Sequence, residues 1–250
     1  MAEHLPRIEI VAVGSELLTP YFEDTDSPYI VAQLEQLGLA PSFRTIMADD
    51  EEILATGLRH SLRRSELCFI IGGLGPTEDD RTREVLARLL KKKLILQEEI
   101  LATIRQRFAR RGLTMPSSNL KQAYIIEGAL VLPNHHGTAP GQWIEDNEKI
   151  IVLLPGPPQE LKPMFETYVL PRLQRWRVYN VFQARLKLTG ITESQIEERI
   201  KDLYPTSGQP RLTTLAYPGQ IEIHLTAYSE RSREEAQETV NQMVDKLTSR

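Results

Sequence analysis

The chain has 250 residues, of which 41% are apolar, and a formal net charge of −4 at pH 7. These values are typical of one large globular domain or of a domain with a smaller companion, and the scattered charges argue against nucleic acid or an anionic membrane as the main partner. No apolar run approaches the roughly 18 residues that span a bilayer, and the amino terminus lacks the apolar core of a signal peptide, so we expect a cytoplasmic protein with no membrane partner.

The first half of the chain predicts strands and helices in alternation. Residues 7–13 (RIEIVAV) are an apolar strand, and the segment DSPYIVAQLEQLG after them has apolar residues at helical spacing, with Ser27 as the predicted N-cap. The pattern then continues with two strands, APSFRTIMA and ELCFII, and with helices at DDEEILATGLRHSLRR, 78–92, 97–111 and 117–123. Such alternation favours a mostly parallel sheet covered by helices on both faces.

The second half has a different pattern. Three short strands are predicted at ALVLP, GQWIED and KIIVLLPG, and a helix follows the last of them. We expect these strands to extend the sheet in the antiparallel sense. After residues 171–177 the chain predicts a strand, a helix, a hairpin across Pro218 and Gly219 and a last helix, which is a small β-α-β-β-α unit. We therefore expect two domains, 1–173 and 178–250.

The stretch GGLGPTEDD leaves the third strand, at the kind of strand end where ligands bind in open α/β sheets. Glycine lets backbone N–H groups approach an anion closely, and Thr77 can cap the helix that follows or donate to a phosphate. We predict Asp79 and Asp80 in the first turn of that helix, so close to the anion that they would repel it unless a divalent cation lay between them. The alternative is that both aspartates only complement the helix dipole.

Three other loops carry candidate residues. Glu16 follows the first strand, where a carboxylate can bind a metal ion or act as a base, whereas Asp24 and Asp26 are also explained as caps of the next helix. The loops NHHGTAPGQW and LLPGPPQEL contain glycine and proline, and each either lines a nucleotide pocket or only connects two elements.

Five motifs together resemble one known family. They are VGSELL, GGLGPTEDDRT, NLKQA, GTAPGQW and LLPGPPQEL, in the order found in the amino-terminal part of the CinA-like (competence/damage-inducible protein A) family. The first domain of that family is similar to the MoaB/MogA molybdopterin-binding fold, and GITESQIEERIKDL with the hairpin after it resembles the family's KH-like module. The resemblance implies a three-layer α/β/α domain with a mostly parallel sheet, followed by a small α+β domain.

The resemblance also implies an activity, a cofactor and site residues. The activity is metal-dependent hydrolysis of the pyrophosphate of ADP-ribose to AMP and ribose 5-phosphate by a homodimer, with a divalent metal ion of the magnesium or cobalt type. Asp79 and Asp80 would hold the metal ion, and they are catalytic candidates together with Glu16. The other matching positions would bind the substrate: Gly72, Gly73, Gly75, Thr77, Asn119, Gln122, Thr138, Gly156 and Glu160.

The chain departs from the family pattern in three ways. Many members carry a further domain that deamidates nicotinamide mononucleotide, whereas this chain stops at Arg250, so we expect that activity to be absent. Thr19 and Pro20 stand where the family commonly has a glycine, and Asp26 stands where an asparagine is common. These two changes predict a different loop shape and different substrate contacts at that edge of the site.

Two other functions are compatible with the sequence. One is binding or adenylylation of a pterin, as in molybdenum-cofactor proteins, because that substrate is also an anionic phosphate ester. The other is a nucleotide sensor whose second unit binds RNA, but residues 178–250 contain no Gly-x-x-Gly tetrapeptide of the kind that KH domains use to hold RNA. We therefore interpret the second unit as a packing or dimerisation element and expect no nucleic-acid partner.

Overall fold

The computed structural model describes residues 6–174, 179–205 and 209–250. They form two compact units. The larger contains the chain up to Gln33 and Ala40–Leu173, and the smaller contains Leu34–Leu39 together with the described part of Gln174–Arg250. The predicted boundary between 173 and 178 falls on residues 175–178, which lie outside the described residues, so the exact boundary stays a prediction.

The larger unit alternates strands and helices along its first half. In chain order its elements are β1 (Ile8–Val13), a 3₁₀ turn (Ser15–Leu18), α1 (Asp26–Glu35), β2 (Pro41–Met47), α2 (Glu51–Arg64), β3 (Leu67–Ile71), α3 (Thr82–Leu89), β4 (Leu94–Leu96), α4 (Glu98–Ala109), a 3₁₀ helix (Ser117–Ala123), β5 (Tyr124–Ile126), β6 (Leu130–Leu132), β7 (Gly141–Asp146), β8 (Lys149–Leu154), α5 (Pro158–Met164), a π-helical segment (Phe165–Val169) and α6 (Leu170–Leu173).

A six-stranded sheet in the order β2-β1-β3-β8-β7-β6 forms the centre of this unit. Its first four strands are parallel, and β7 and β6 extend it in the antiparallel sense, as the sequence predicts. Every residue of β1 and β3 is buried, which is expected of parallel strands covered on both faces. Leu54 and Leu58 of α2 pack in the core with strand residues that include Val11, Ile70 and Leu153. The parallel arrangement places the carboxyl ends of β1, β3 and β8 at one edge of the sheet.

The start of α1 differs from the prediction. The helix begins at Asp26, so Ser27 is a helical residue and not the N-cap. The carboxylate of Asp24 accepts a hydrogen bond from the N–H of Ser27 at 2.9 Å, which satisfies a backbone donor that the first turn of the helix leaves unpaired. Asp24 therefore has the capping role that the sequence offered as one alternative.

The start of α3 also differs from the prediction. The helix begins at Thr82, and Asp79 and Asp80 precede it instead of occupying its first turn. The cause is a tight turn in which Oδ2 of Asp80 accepts hydrogen bonds from the backbone N–H of Thr77 at 2.9 Å and from its hydroxyl at 2.5 Å. Thr77 therefore donates to Asp80 and does not cap the helix.

The smaller unit has the predicted β-α-β-β-α order. Its elements are β9 (Asn180–Leu188), α7 (Glu193–Ile200), β10 (Arg211–Tyr217), β11 (Gln220–Ser229) and α8 (Arg233–Thr248), and the three strands form an antiparallel sheet in the order β10-β11-β9. Ile200 of α7 and Val240 of α8 pack on one face of this sheet, against β11 residues that include Ile223 and Leu225. Within the described ranges, no helix is long and apolar enough to cross a membrane.

Candidate active site

A cavity of about 710 Å³ opens at the carboxyl ends of β1, β3 and β8. Eleven of the twelve residues predicted for the site line it: Glu16, Gly72, Gly73, Gly75, Thr77, Asp79, Asp80, Gln122, Thr138, Gly156 and Glu160. The twelfth, Asn119, is buried, and its Nδ2 donates a hydrogen bond to Oε1 of Gln122 at 2.8 Å. Asn119 therefore orients a residue of the cavity wall.

Gly72 and Gly73 form the part of the wall that follows β3. Their φ angles are 93° and 67°, in the left-handed region that side chains disfavour. A Cβ atom on Gly72 would lie 2.4 Å from the carbonyl oxygen of Val13, and one on Gly73 would lie 1.9 Å from the hydroxyl of Thr82. Since neither position has room for a side chain, this wall is bare backbone, which a phosphate group can approach closely.

The turn Thr77–Asp80 stands next to that backbone. Besides the two hydrogen bonds from Thr77 to Asp80, Nζ of Lys121 donates to the carbonyl oxygen of Thr77 at 2.7 Å. One oxygen of Asp80 is thus used within the turn, while the side chain of Asp79 is exposed. The turn is fixed from both sides, and it presents two carboxylates to the cavity.

Asp49 joins the site although the sequence indicates only a helix start for it. It lies in the connection from β2 to α2, one residue before the N-cap Asp50, and its Oδ1 accepts a hydrogen bond from the hydroxyl of Ser15 at 2.5 Å. Ser15 and Glu16 lie in the 3₁₀ turn after β1, and both Glu16 and Asp49 line the cavity. The signal that could have identified Asp49 is the pairing of β1 with β2, which brings the loops after these strands together.

Asn134 is a second residue that the sequence motifs did not single out. Its Oδ1 accepts the N–H of Gly137 at 2.7 Å, and its Nδ2 donates to Oε2 of Glu160 at 2.6 Å. It therefore ties the loop that carries Thr138 to the first turn of α5, and so it positions two of the predicted substrate contacts.

The wall of the cavity is acidic. Its described lining contains no lysine, arginine or histidine but eight carboxylates: Glu16, Glu23, Asp24, Asp26, Asp49, Asp79, Asp80 and Glu160. Asp26 is 7% exposed, and its Oδ1 makes no hydrogen bond to any described residue. Burial, with the neighbouring charge of Asp24, raises the pKa of Asp26 to about 6, although Lys162 opposes the shift. Among the described residues, no three metal-binding side chains are grouped closely enough to hold an ion by themselves.

Comparison with known proteins identifies the family. Residues 9–175 match the family model "Probable molybdopterin binding domain", and residues 183–250 match the "Damage-inducible protein CinA KH domain". The chain belongs to the CinA-like family. This confirms the resemblance and the fold class, a MoaB/MogA-like α/β domain with a mostly parallel sheet followed by a small KH-like α+β module.

Relatives extend beyond the matched region. The CinA-like protein of Dictyoglomus thermophilum is 42% identical over 244 residues, which are 98% of this chain and 59% of that protein. The CinA-like protein of Solibacter usitatus is 46% identical over 220 residues, 88% of this chain and 53% of that protein. The chain therefore spans between half and two thirds of the length of these relatives. The crystal structure of the protein CinA from Thermoplasma acidophilum is 27% identical, with a TM-score of 0.61 over 70% of this chain and 99% of that chain.

Proposed function

We propose that this member of the CinA-like family hydrolyses the pyrophosphate of ADP-ribose, or of a related nucleoside diphosphate derivative, with the help of a divalent cation. The observation that carries the proposal is the contrast between the bare backbone at Gly72 and Gly73 and the eight carboxylates of the described lining. The backbone suits a phosphate, but the carboxylates would repel its charge unless a cation lay between them. Phosphate and cation together fit this wall better than either alone.

The residues present fit a magnesium-type ion. Carboxylate oxygens are the ligands such ions prefer, and Mg²⁺ is commonly held by one or two carboxylates, with water and substrate phosphates completing the coordination. Asp79 and the second oxygen of Asp80 would supply the protein ligands, so a cluster of three protein groups is not needed. When bound, the ion would neutralise phosphate charge and lower the pKa of a bound water.

The chain itself positions the substrate and moves the proton. In this proposal the backbone at Gly73 receives one phosphate, whereas the N–H of Gly72 already donates to the carbonyl oxygen of Leu154 at 3.0 Å. Gln122, oriented by Asn119, and Thr138 hold polar groups of the substrate. Glu16, in the 3₁₀ turn after β1, also lines the cavity and in this proposal accepts the proton of the attacking water. The products are AMP and ribose 5-phosphate. The expected homodimer and the cytoplasmic location stay predictions.

A second candidate is binding of a molybdopterin-type ligand, which the description of the matching family model favours. Such a ligand is also a phosphate ester, and the same backbone would receive it. The two functions differ in turnover, because only the first releases AMP from ADP-ribose.

The proposal can be tested by changing two adjacent acidic residues, Asp79 in the cavity and Glu78 as the control. Asp79 lines the cavity, whereas the side chain of Glu78 is 99% exposed and does not line it. Release of AMP and ribose 5-phosphate is followed with Mg²⁺, with Co²⁺ and with a chelator, for the unchanged chain, Asp79→Asn and Glu78→Gln. We expect metal-dependent release, a kcat/KM lowered roughly 100-fold or more in Asp79→Asn, and less than about a threefold change in Glu78→Gln.

Two outcomes would contradict the proposal. Measurable nucleotide binding without AMP release, at any of the metal conditions, would favour a sensor or a cofactor-binding protein. Equal losses of activity in Asp79→Asn and Glu78→Gln would mean that the Thr77–Asp80 turn acts only through the stability of the chain.

A further inference from the structure

Two aromatic side chains stand exposed on the loop between the 3₁₀ turn and α1. Tyr21 is 87% exposed and Phe22 is 61% exposed. Phe22 lines the cavity, and it is the one aromatic side chain in the described lining; Tyr21 is not part of it.

The loop is anchored at both ends. The backbone N–H and the hydroxyl of Thr19 both donate to the carbonyl oxygen of Glu16, at 3.0 and 2.7 Å, and the ring of Pro20 restricts the next φ angle. At the other end, Asp24 accepts the N–H of Ser27. The backbone is thus fixed three residues before Phe22 and two residues after it.

The rest of the described lining has no second aromatic ring. It consists mainly of glycine and proline backbone, short aliphatic side chains and carboxylates. Stacking on an aromatic side chain stabilises a bound nucleobase by about 1–3 kcal/mol whatever the base, because every base has a π-face. The glycine backbone and Phe22 line the same cavity, whose volume of about 710 Å³ lies in the range of sites for small organic ligands.

We propose that Phe22 is the stacking platform for the nucleobase of the ligand and that it makes the cavity prefer nucleotides to sugar phosphates. The inference rests on the proposed function only in that the cavity accepts a phosphate ester; it does not require hydrolysis. The competing explanation for an exposed aromatic pair is contact with a second copy of the chain, with Tyr21 and Leu18, which is 59% exposed, as neighbours.

The test compares two ligands that differ only in the base. Binding of AMP and of ribose 5-phosphate is measured by calorimetry, with Mg²⁺ present, for the unchanged chain, Phe22→Ala, Phe22→Tyr and Tyr21→Ala. We expect the unchanged chain to prefer AMP and Phe22→Ala to weaken AMP binding roughly 5- to 100-fold while ribose 5-phosphate changes less than twofold. Phe22→Tyr keeps the ring and the preference. Tyr21→Ala, the matched control, leaves both affinities unchanged.

The outcomes separate this inference from the proposed hydrolysis. Phe22-dependent AMP binding without turnover of ADP-ribose would contradict the hydrolysis and leave the base platform standing. Turnover with equal effects of Phe22→Ala on both ligands, or with none on either, would overturn the platform. Absence of AMP binding would overturn it as well. A Phe22→Ala chain that loses its dimer but keeps its preference for AMP would assign the aromatic pair to a subunit interface.

Discussion

Glu9 and Asp26 are both buried carboxylates of the larger unit, but their surroundings are opposite. Glu9 on β1 accepts hydrogen bonds from Thr45 and Ser61, each at 2.8 Å, and from Nε of Arg64 at 2.7 Å. Burial raises the pKa of Glu9, but the hydrogen bonds from Arg64, Ser61 and Thr45 outweigh it and hold the pKa below its ordinary value. Asp26 keeps one oxygen without a partner among the described residues, and its pKa is raised to about 6.

The two carboxylates differ in how far the protein itself satisfies them. The protein itself satisfies the carboxylate of Glu9. The guanidinium of Arg64 forms an ion pair with it and also lies 4.0 Å from the centre of the Phe43 ring. Asp26 lines a cavity with seven other carboxylates, and none of the described lining residues offers it a positive charge. Its unpaired oxygen is left for water or for a bound ligand to satisfy.

The largest expected effect on stability comes from breaking the ion pair between Arg64 and Glu9. Arg64→Met leaves Glu9 buried with only two hydroxyl donors, and we expect the free energy of unfolding at pH 7 to fall by about 3 kcal/mol. Because the folded pKa of Glu9 lies below its ordinary 4.5, the loss is full above that pH and shrinks as Glu9 becomes protonated below it. Urea denaturation at pH 7 and pH 3.5 measures both parts.

The matched control is Arg7→Met. Arg7 pairs with Glu66 at 3.4 Å, and its side chain is 56% exposed, so its removal is expected to cost no more than about 1 kcal/mol. Equal losses in the two variants would mean that the Glu9 pair stabilises the fold no more than a surface pair does.

A buried cation extends the comparison. Arg83 is fully buried, none of its guanidinium nitrogens hydrogen-bonds to a described residue, and its one ion pair, to Glu84, is 3.8 Å long. Burial lowers the pKa of this guanidinium, and Glu84 and Asp80 only partly oppose it. We expect Arg83→Met to raise the free energy of unfolding by about 2 kcal/mol, since an apolar side chain removes the desolvation cost.

The control for that change is Arg88→Met on the same helix. The side chain of Arg88 is 60% exposed and pairs with Glu51 at 2.6 Å, so its loss should change stability by less than about 1 kcal/mol. Differential scanning calorimetry of both variants measures the effect. Destabilisation by Arg83→Met would show that the guanidinium has a partner, such as buried water, that compensates its burial.

The smallest effect is expected at Asp26. Its folded pKa of about 6 lies above its ordinary 3.8, so its ionisation destabilises the fold progressively from about pH 4 to pH 6 and fully above that. Asp26→Asn removes this penalty, and we expect it to stabilise the ligand-free chain by about 1 to 2 kcal/mol at pH 8 and not at all at pH 3.5.

The control at this position is Asp24→Ala. Asp24 caps α1 and lies 3.4 Å from Nη2 of Arg44, so removal of its carboxylate should destabilise the chain at pH 8. Thermal denaturation at the two pH values compares the variants. A loss of stability in Asp26→Asn at pH 8 would mean that the carboxylate of Asp26 already has a partner in the folded chain.

Much of the fold could be predicted because local patterns encode it. Apolar runs give β1, β3 and β8, and turn residues punctuate the β-α-β-β-α unit. The ladder of β4 with β5 was not predicted, since it joins two three-residue strands that only pairing between distant segments, such as Leu94 with Ile126, makes recognisable.

The site residues that belong to sequence motifs could be predicted. Those that reach the cavity only through the arrangement of strands and loops could not. The glycines after β3 could be recognised as wall residues, because the backbone at Gly72 and Gly73 has no room for a side chain. The turn that Asp80 closes, and hence the late start of α3, depends on one side-chain hydrogen bond pattern that the sequence does not specify. Asp49 and Phe22 reach the cavity through the order of the strands and the path of a loop. No local pattern predicts that either residue lines the cavity.

The most direct measurement of the central claim is the coupling between cation and phosphate binding. Thermal denaturation is followed with Mg²⁺, with an ADP-ribose analogue whose bridging pyrophosphate oxygen is replaced by methylene, and with both. We expect the shift in Tm with both ligands to exceed the sum of the separate shifts, and Asp79→Asn to abolish the excess, because the ion joins the carboxylates to the phosphates. A full shift with the analogue alone, or shifts that simply add, would contradict the claim that these carboxylates bind the ligand through a cation.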